Sequence, residues 1–204
     1  MLASRGDRIR HCRSEQRSAS AMKPLPFVGR AGELEELAGH LATLRAGIGS
    51  AILVAGEPGI GKTRLVEQAV LTHPGGVAWG TCVAGEGVPP FWPWRRVLRT
   101  CATQETIKAS GVSWQDVRLL AEDAAEAAVP DGASRYRVFE AVTATLAAAG
   151  REGGLVVVLD DLHWADEGSV RLLQCVAAES RHMPVLLLCA YRDTEIDESH
   201  PLSS

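Results

Sequence analysis

The segment from position 56 to position 63 carries the clearest chemical signal in the sequence. It fits the pattern G-x-x-x-x-G-K-[ST], in which glycines let the backbone bend so that its amide groups converge on an anion. Lys62 would add a point charge for terminal phosphates, and the Thr63 hydroxyl would bind Mg²⁺. The alternative is a glycine-rich turn that fits the pattern by chance. We predict a phosphate-binding loop formed by Gly56, Glu57, Pro58, Gly59, Ile60, Gly61, Lys62, Thr63 and Arg64.

Two adjacent aspartates follow a second informative segment. Residues 155–159 are all apolar and mostly β-branched, which predicts a strand buried on both faces of a parallel sheet. Open α/β sheets bind ligands at the carboxyl ends of their strands, where this pair would lie. Asp160 would then hold Mg²⁺, usually through water, and Asp161 would polarise an attacking water molecule. The alternative is two solvated aspartates at a strand end.

Two further polar residues are expected at the same edge of the sheet. Arg192 ends the apolar segment 183–191, and a cation there could touch the γ-phosphate and report whether the nucleotide is ATP or ADP. A surface salt bridge to Asp193 or Glu195 explains the spacing equally well. His163 is interpreted as a loop histidine, because no second histidine or cysteine lies at metal-ligand spacing from it.

The elements that must position these residues alternate along the chain. Apolar segments predict strands at 51–55, 77–83, 155–159 and 183–192, the last of which ends in Arg192. Helical spacing or composition predicts helices at 33–44, 62–71, 94–103, about 114–128, 134–149 and 167–178, with Ser134 and Asp166 as N-caps. Such alternation is typical of an α/β fold with a parallel sheet and helices on both faces.

A loop rich in proline and aromatic residues, 85–94, follows the second predicted strand. Rings in such a loop most often anchor it to the body of the protein, and we favour that interpretation. The alternative is a site in which the rings stack on a ligand.

The composition indicates a globular protein of moderate charge. The 204 residues are 46% hydrophobic and 23% charged, and the net charge of −4 argues against nucleic-acid binding by the chain as a whole. The five cysteines are scattered without a C-x-x-C pair, which indicates reduced thiols. No apolar segment reaches membrane-spanning length and no secretory signal is visible, so we expect a cytoplasmic protein. The predicted divisions are a disordered basic tail at 1–24, a core at 25–195 and a frayed end at 196–204.

Several of these motifs together resemble one family. The chain resembles the ATPase module of the STAND class of AAA-related P-loop signalling proteins, as found in large LuxR-type bacterial transcription regulators. The segments that carry the resemblance, in the family's order, are 27–34, 56–63, 89–94, 159–166 and 191–194. The resemblance implies a three-layer P-loop NTPase fold of the ASCE/AAA type. It also implies that Val28, Gly29 and Arg30 lie near the adenine, that Thr63 and Asp160 serve Mg²⁺, and that Arg192 is the sensor arginine.

The resemblance also implies what should follow the sensor arginine. Family members continue with a fifth strand, a helical lid, repeats and often a DNA-binding helix-turn-helix, so we expect a truncated module with strand order 1-4-3-2 and with the fifth strand and lid missing. The expected function is Mg-ATP binding with slow hydrolysis, as the nucleotide switch that controls self-association and transcription in such regulators. The alternatives are a nucleotide-binding scaffold without turnover and a P-loop kinase acting on a small molecule.

Overall fold

The computed structural model describes residues 29–121, 132–197 and 200–203. A four-stranded parallel sheet forms its centre, in the order β1-β4-β3-β2. The strands are β1 (Ser50–Val54), β2 (Gly76–Thr81), β3 (Leu155–Asp160) and β4 (Val185–Ala190). The predicted α/β class, parallel pairing and strand order are confirmed.

The helices connect these parallel strands. In the described residues they are α1 (Ala31–Arg45), α2 (Lys62–Val70), α3 (Trp92–Cys101), α4 (Gln104–Ser110), α5 (Trp114–Ala121), α6 (Gly132–Gly150) and α7 (Glu167–Glu179). Short 3-10 helices lie at Leu162–Trp164, Ser180–His182, Asp193–Glu195 and Pro201–Ser203.

The helices form one layer on each face of the sheet, because side chains alternate across a strand. On one face, α1 and α2 pack against Val156, Val158, Leu186 and Leu188. On the other face, helices α3 to α7 pack against Leu155, Val157, Leu159, Val185, Leu187 and Cys189. Every residue of β3 and β4 is buried, as expected for the two central strands of a three-layer fold. These two strands therefore give the carboxyl edge of the sheet a rigid support.

Several predicted element boundaries differ from the structure, and those of two helices differ most in consequence. The helix predicted at 94–103 spans Trp92–Cys101 instead. A separate helix, α4, starts at Gln104, and Thr103 is its N-cap. Helix α6 begins at Gly132, so Ser134 lies inside it and the predicted Ser134 N-cap is wrong. Asp166 does cap α7, where its carboxylate accepts a hydrogen bond from the Ser169 amide at 2.9 Å.

The two ends of the chain were predicted to lack order. The tail at 1–24 lies outside the described residues, as does part of the predicted helix 114–128. Within 196–204, the segment predicted to be frayed, the structure has a 3-10 helix at Pro201–Ser203. Leu202 packs against the apolar cluster below it, and a ring nitrogen of His200 lies 3.0 Å from the His163 carbonyl oxygen. These contacts explain why the segment folds back.

A glycine in β2, Gly80, permits a close approach between the sheet and helix α3. A Cβ atom at Gly80 would lie 2.3 Å from the Pro93 carbonyl oxygen of α3, which is backbone and cannot rotate away. We expect Gly80→Ala to lower the free energy of unfolding by about 1–3 kcal/mol, because α3 must shift from the sheet. Urea unfolding monitored by circular dichroism measures this change.

Gly39 provides the matched control. It lies in α1, and a Cβ atom added there would have no other atom within 4 Å, so Gly39→Ala places a methyl group in open space. We expect this variant to be as stable as the wild type or more stable by up to about 1 kcal/mol. Equal unfolding midpoints for Gly80→Ala and the wild type would contradict the proposed close packing.

Candidate functional site

The loop between β1 and α2 has the backbone geometry that an anion-binding loop requires. Gly59 and Gly61 adopt φ angles of +76° and +92°, a region that side-chain-bearing residues rarely enter. Gly61 is the N-cap of α2, and its carbonyl oxygen accepts the first helical hydrogen bond from Leu65. The backbone amides that follow Gly61 therefore lie at the positive end of a helix. The glycine positions of the sequence pattern are thus explained by the local fold.

Lys62 spans this loop from the first turn of α2. Its ammonium donates hydrogen bonds to the carbonyl oxygens of Gly56, at 2.8 Å, and Glu57, at 3.0 Å. The residue is only 8% exposed. Two of the three ammonium protons are used by the loop, which leaves one for a ligand. Lys62 therefore fixes the start of the loop and keeps a positive charge within it.

Thr63 and Asp160 join the loop to the end of β3. The Thr63 hydroxyl donates a 2.9 Å hydrogen bond to Asp160 Oδ2, although the two residues are 97 positions apart in the sequence. Asp160 Oδ1 accepts a second hydrogen bond, at 3.0 Å, from the Asp161 amide. Two residues predicted to serve the same metal ion are thus in direct contact at one edge of the sheet.

Burial makes the charge of Asp160 unfavourable. The residue is 5% exposed, and burial raises the pKa of its carboxyl group above the usual value. The hydrogen bond from Thr63 acts in the opposite direction and favours the carboxylate. A cation at this position would relieve the cost of the buried charge.

Asp161 turns the chain sharply after β3. Its φ angle of +54° is left-handed, which is uncommon for a residue with a side chain. The Asp161 side chain keeps 31% of its surface exposed, and its Oδ1 atom lies 4.0 Å from Nε2 of His163. Its carboxylate is therefore accessible to solvent at the same edge as Asp160, as a residue that orients a water molecule would need to be.

His163 is more deeply placed than the loop histidine that the sequence suggested. Its side chain is fully buried, and neither ring nitrogen has a hydrogen-bond partner among the residues that the structure describes. Burial lowers the pKa of the imidazole, while the carboxylates of Glu195 and Asp161 act to raise it. A neutral imidazole facing two carboxylates belongs to the site, and its position two residues after Asp161 was the available signal.

Arg192 forms the salt bridge that the sequence left as one of two possibilities. Its Nη1 atom lies 2.5 Å from Glu195 Oε1, and its guanidinium lies 5.1 Å from the centre of the Trp164 ring. The backbone just before it is tied to β1, because the Tyr191 amide donates to the Val54 carbonyl at 3.1 Å. Arg192 therefore leaves the sheet beside the phosphate loop, and its role as a sensor remains a prediction.

Of the three residues expected near the adenine, Val28 lies outside the described residues, and Gly29 adopts a φ angle of +88°. The Arg30 guanidinium donates a 2.9 Å hydrogen bond to the Ile60 carbonyl oxygen, and it lies 3.7 Å from the Glu33 carboxylate. The segment before α1 thus contacts the phosphate loop directly. Glu57, Pro58 and Arg64, the other predicted loop residues, are exposed around it.

The rings of the proline-rich loop have two different placements. Phe91 and Trp94 are buried in the core, and the Trp94 indole donates a 3.0 Å hydrogen bond to the Ser169 carbonyl of α7. Trp92 instead lines, with Trp164, a pocket of about 370 Å³ whose wall also includes apolar residues of the loop. Anchoring therefore accounts for Phe91 and Trp94, but not for Trp92.

Comparison with known proteins gives the class of the chain. Residues 26–188 of the 204 match the AAA ATPase domain family. The chain therefore belongs to the AAA ATPase domain family, whose P-loop NTPase fold agrees with the sheet order described above.

A solved structure with partial similarity to this chain is known. It is a signal transduction ATPase with numerous domains (STAND) from Pyrococcus horikoshii, which carries a tetratricopeptide repeat sensor; the sequence identity is 15% and the TM-score 0.40. The similarity covers 87% of this chain and 22% of that one, so the chain spans about a fifth of that protein's length. A comparison with curated proteins gives no match. Among the described residues, no helix is long and apolar enough to cross a membrane.

The buried charge of Asp160 predicts a pH-dependent cost in stability. The pKa of the Asp160 carboxyl group is raised in the folded protein because burial favours its neutral form. The stabilisation by the neutral form is therefore fully present below the ordinary pKa of 3.8 and is lost as the pH rises through the folded pKa. We expect Asp160→Asn to unfold at higher urea concentration than the wild type at pH 8, and the difference to shrink at pH 4. The Thr63 hydroxyl can accept from the new amide, so the hydrogen bond survives.

Asp116→Asn in α5 is the control for this measurement, since Asp116 lies in the first turn of a helix away from the site. The difference in urea unfolding midpoint between Asp116→Asn and the wild type should not follow the same trend between pH 8 and pH 4. A wild type that is more stable than Asp160→Asn at pH 8, without Mg²⁺ or nucleotide, would refute the interpretation of Asp160 as a strained buried charge.

Proposed function

We propose that this chain binds Mg-ATP and hydrolyses it slowly. The observation that carries the proposal is the 2.9 Å hydrogen bond between Thr63 and Asp160. It holds together the loop that would bind the phosphates and the acid that would serve the metal. One metal–phosphate complex requires both groups. Membership of the AAA ATPase domain family supports the same class of ligand.

The loop offers the groups that a triphosphate requires. The backbone amides of residues 57 and 59–63 would donate hydrogen bonds to phosphate oxygens at the positive end of α2, and Lys62 would donate its remaining hydrogen bond to the terminal phosphates. Val28, Gly29 and Arg30 would lie near the adenine. The hydrogen bond from Arg30 to Ile60 supports this, because it connects their segment to the loop.

The oxygen atoms of Thr63 and Asp160 fit Mg²⁺. It prefers oxygen ligands and keeps several of its waters, so one hydroxyl and one carboxylate at an open edge are a suitable set. Bound there, Mg²⁺ would neutralise part of the charge on the β- and γ-phosphate oxygens. A neighbouring cation would also stabilise the charged form of Asp160, which burial disfavours.

Asp161 and Arg192 are the residues we assign to the hydrolytic step. In-line attack on the γ-phosphate requires a water molecule held on the side opposite the leaving group, and the exposed carboxylate of Asp161 would orient it. Arg192 would contact the γ-phosphate as a sensor and stabilise the charge that develops. Its departure from the sheet next to β1 supports this assignment.

The wider role we propose is that of a nucleotide switch. The motifs shared with STAND proteins, including segments 27–34, 159–166 and 191–194, support a module of a signal-responsive, LuxR-type transcription regulator in the cytoplasm. In such a regulator the bound nucleotide would control self-association, and DNA would be bound by another domain.

Removal of the loop charge tests nucleotide binding. We expect Lys62→Ala to weaken Mg-ATP binding about 10- to 100-fold, since a hydrogen bond to a charged group contributes about 1.5–3 kcal/mol. Isothermal titration calorimetry with Mg²⁺, and with EDTA in place of Mg²⁺, measures the affinity. Lys108→Ala removes an exposed lysine of α4 and serves as the control, with unchanged affinity expected. Absence of Mg-dependent binding in the wild type would refute the proposal.

Turnover is tested separately with Asp161→Asn. We expect phosphate release to fall about 10²- to 10⁴-fold, the usual contribution of a positioned general base, while the affinity for Mg-ATP changes little. A malachite green assay measures the phosphate. If wild type and variant release phosphate at the same rate but both bind ATP, the chain is a nucleotide-binding scaffold, and the hydrolytic part of the proposal is wrong.

A further inference from the structure

Glu195 contacts both the proposed sensor, Arg192, and the buried His163. Its Oε1 atom accepts the hydrogen bond from Arg192, and its Oε2 atom lies 3.6 Å from Nε2 of His163. The hydrogen bond from Arg192 is the largest of the causes that lower the pKa of Glu195. Arg192 thus favours the charged form of Glu195.

The Arg192 guanidinium lies between two attractive groups. Glu195 neutralises its charge, and the face of the Trp164 ring provides a cation–π contact at 5.1 Å. Trp164 is fixed in turn by its ring contact with the buried His163, at 4.6 Å between centroids. The side chain of Arg192 therefore has a defined resting position that involves no phosphate.

The start of the same side chain is close to the phosphate loop. Arg192 follows Tyr191, whose amide is hydrogen-bonded to Val54, and the loop begins two residues after Val54. A γ-phosphate that contacts the guanidinium would compete with the Glu195 carboxylate for its charge and for its Nη1 donor. Both are oxygen anions that bind the guanidinium in the same way, so they compete for one cation.

We propose that Glu195 determines how strongly the chain prefers a nucleoside triphosphate to a diphosphate, by competing with the terminal phosphate for Arg192. This proposal rests on the nucleotide-binding function proposed above. Only a triphosphate supplies the oxygens that replace Glu195, so the cost of breaking the Arg192–Glu195 pair falls on the triphosphate alone. Glu195 therefore weakens triphosphate binding and leaves diphosphate binding unchanged.

The test compares Glu195→Gln with the wild type. The variant keeps the size of the side chain and removes its charge. Calorimetry with Mg-ADP and with the non-hydrolysable triphosphate analogue Mg-AMP-PNP gives both affinities without turnover. We expect the affinity for AMP-PNP to rise about three- to fivefold, within the range for a partly exposed ion pair, and the affinity for ADP to stay within about twofold.

Two further variants identify the cause. In an Arg192→Ala background, Glu195→Gln should leave the ratio of the two affinities unchanged, because the competed cation is gone. Glu179→Gln removes a carboxylate at the opposite end of β4, next to His182, and should have no effect on either affinity. Urea unfolding of each variant shows whether it retains the wild-type fold.

Each outcome has a definite meaning. An equal change in both affinities, or a fall in the triphosphate preference, would overturn the competitive role of Glu195. An effect that persists without Arg192 would also overturn it. These results leave nucleotide binding intact, whereas a wild type that binds neither nucleotide would refute the proposed function and this inference together.

Discussion

The hydrogen bond between Thr63 and Asp160 is the interaction on which the geometry of the site depends. It connects a loop that follows β1 with the last residue of β3, and β4 lies between those two strands in the sheet. Asp160 also accepts a hydrogen bond from Asp161, so the same carboxylate fixes the start of the turn that follows β3. One buried side chain thereby sets the relative positions of the loop, the oxygens proposed to bind Mg²⁺ and the second aspartate.

This arrangement is possible because the two central strands are buried on both faces. Residues 155–159 of β3 and 185–189 of β4 pack into the two apolar layers, so neither strand can slide without exposing apolar surface. The free energy gained there offsets the cost of ending β3 in a buried carboxylate whose ionisation is opposed by burial. Functional sites commonly combine a rigid support with an unfavourable charge, and a bound cation would remove the conflict.

The other side of the site is held by weaker and more exchangeable contacts. Arg192 and Glu195 are both partly exposed, and their pair is surrounded by Trp164 and the buried His163. An ion pair of this kind contributes little to stability, so it can be exchanged for another anion at small cost. The contrast with the Thr63–Asp160 contact is physical: that contact is partly buried and bridges two elements, whereas the Arg192–Glu195 pair is local and solvent-accessible.

The sequence by itself determined the elements and the composition of the site. The glycines of 56–61 and the apolar segments before Asp160 and Arg192 are local signals, because backbone freedom and strand burial act on consecutive residues. Ser134 and the helix break after Cys101 show the limit of such signals: Ser134 lies inside α6, and Thr103 caps a separate helix, α4.

The tertiary structure decided which partner each side chain has. Sequence could not choose between a phosphate contact and Glu195 for Arg192, and it could not show that His163 is fully buried or that Phe91 and Trp94 lie in the core while Trp92 lines a pocket. Burial and partner choice depend on atoms distant in sequence. They are therefore fixed only when the strands and helices have packed together.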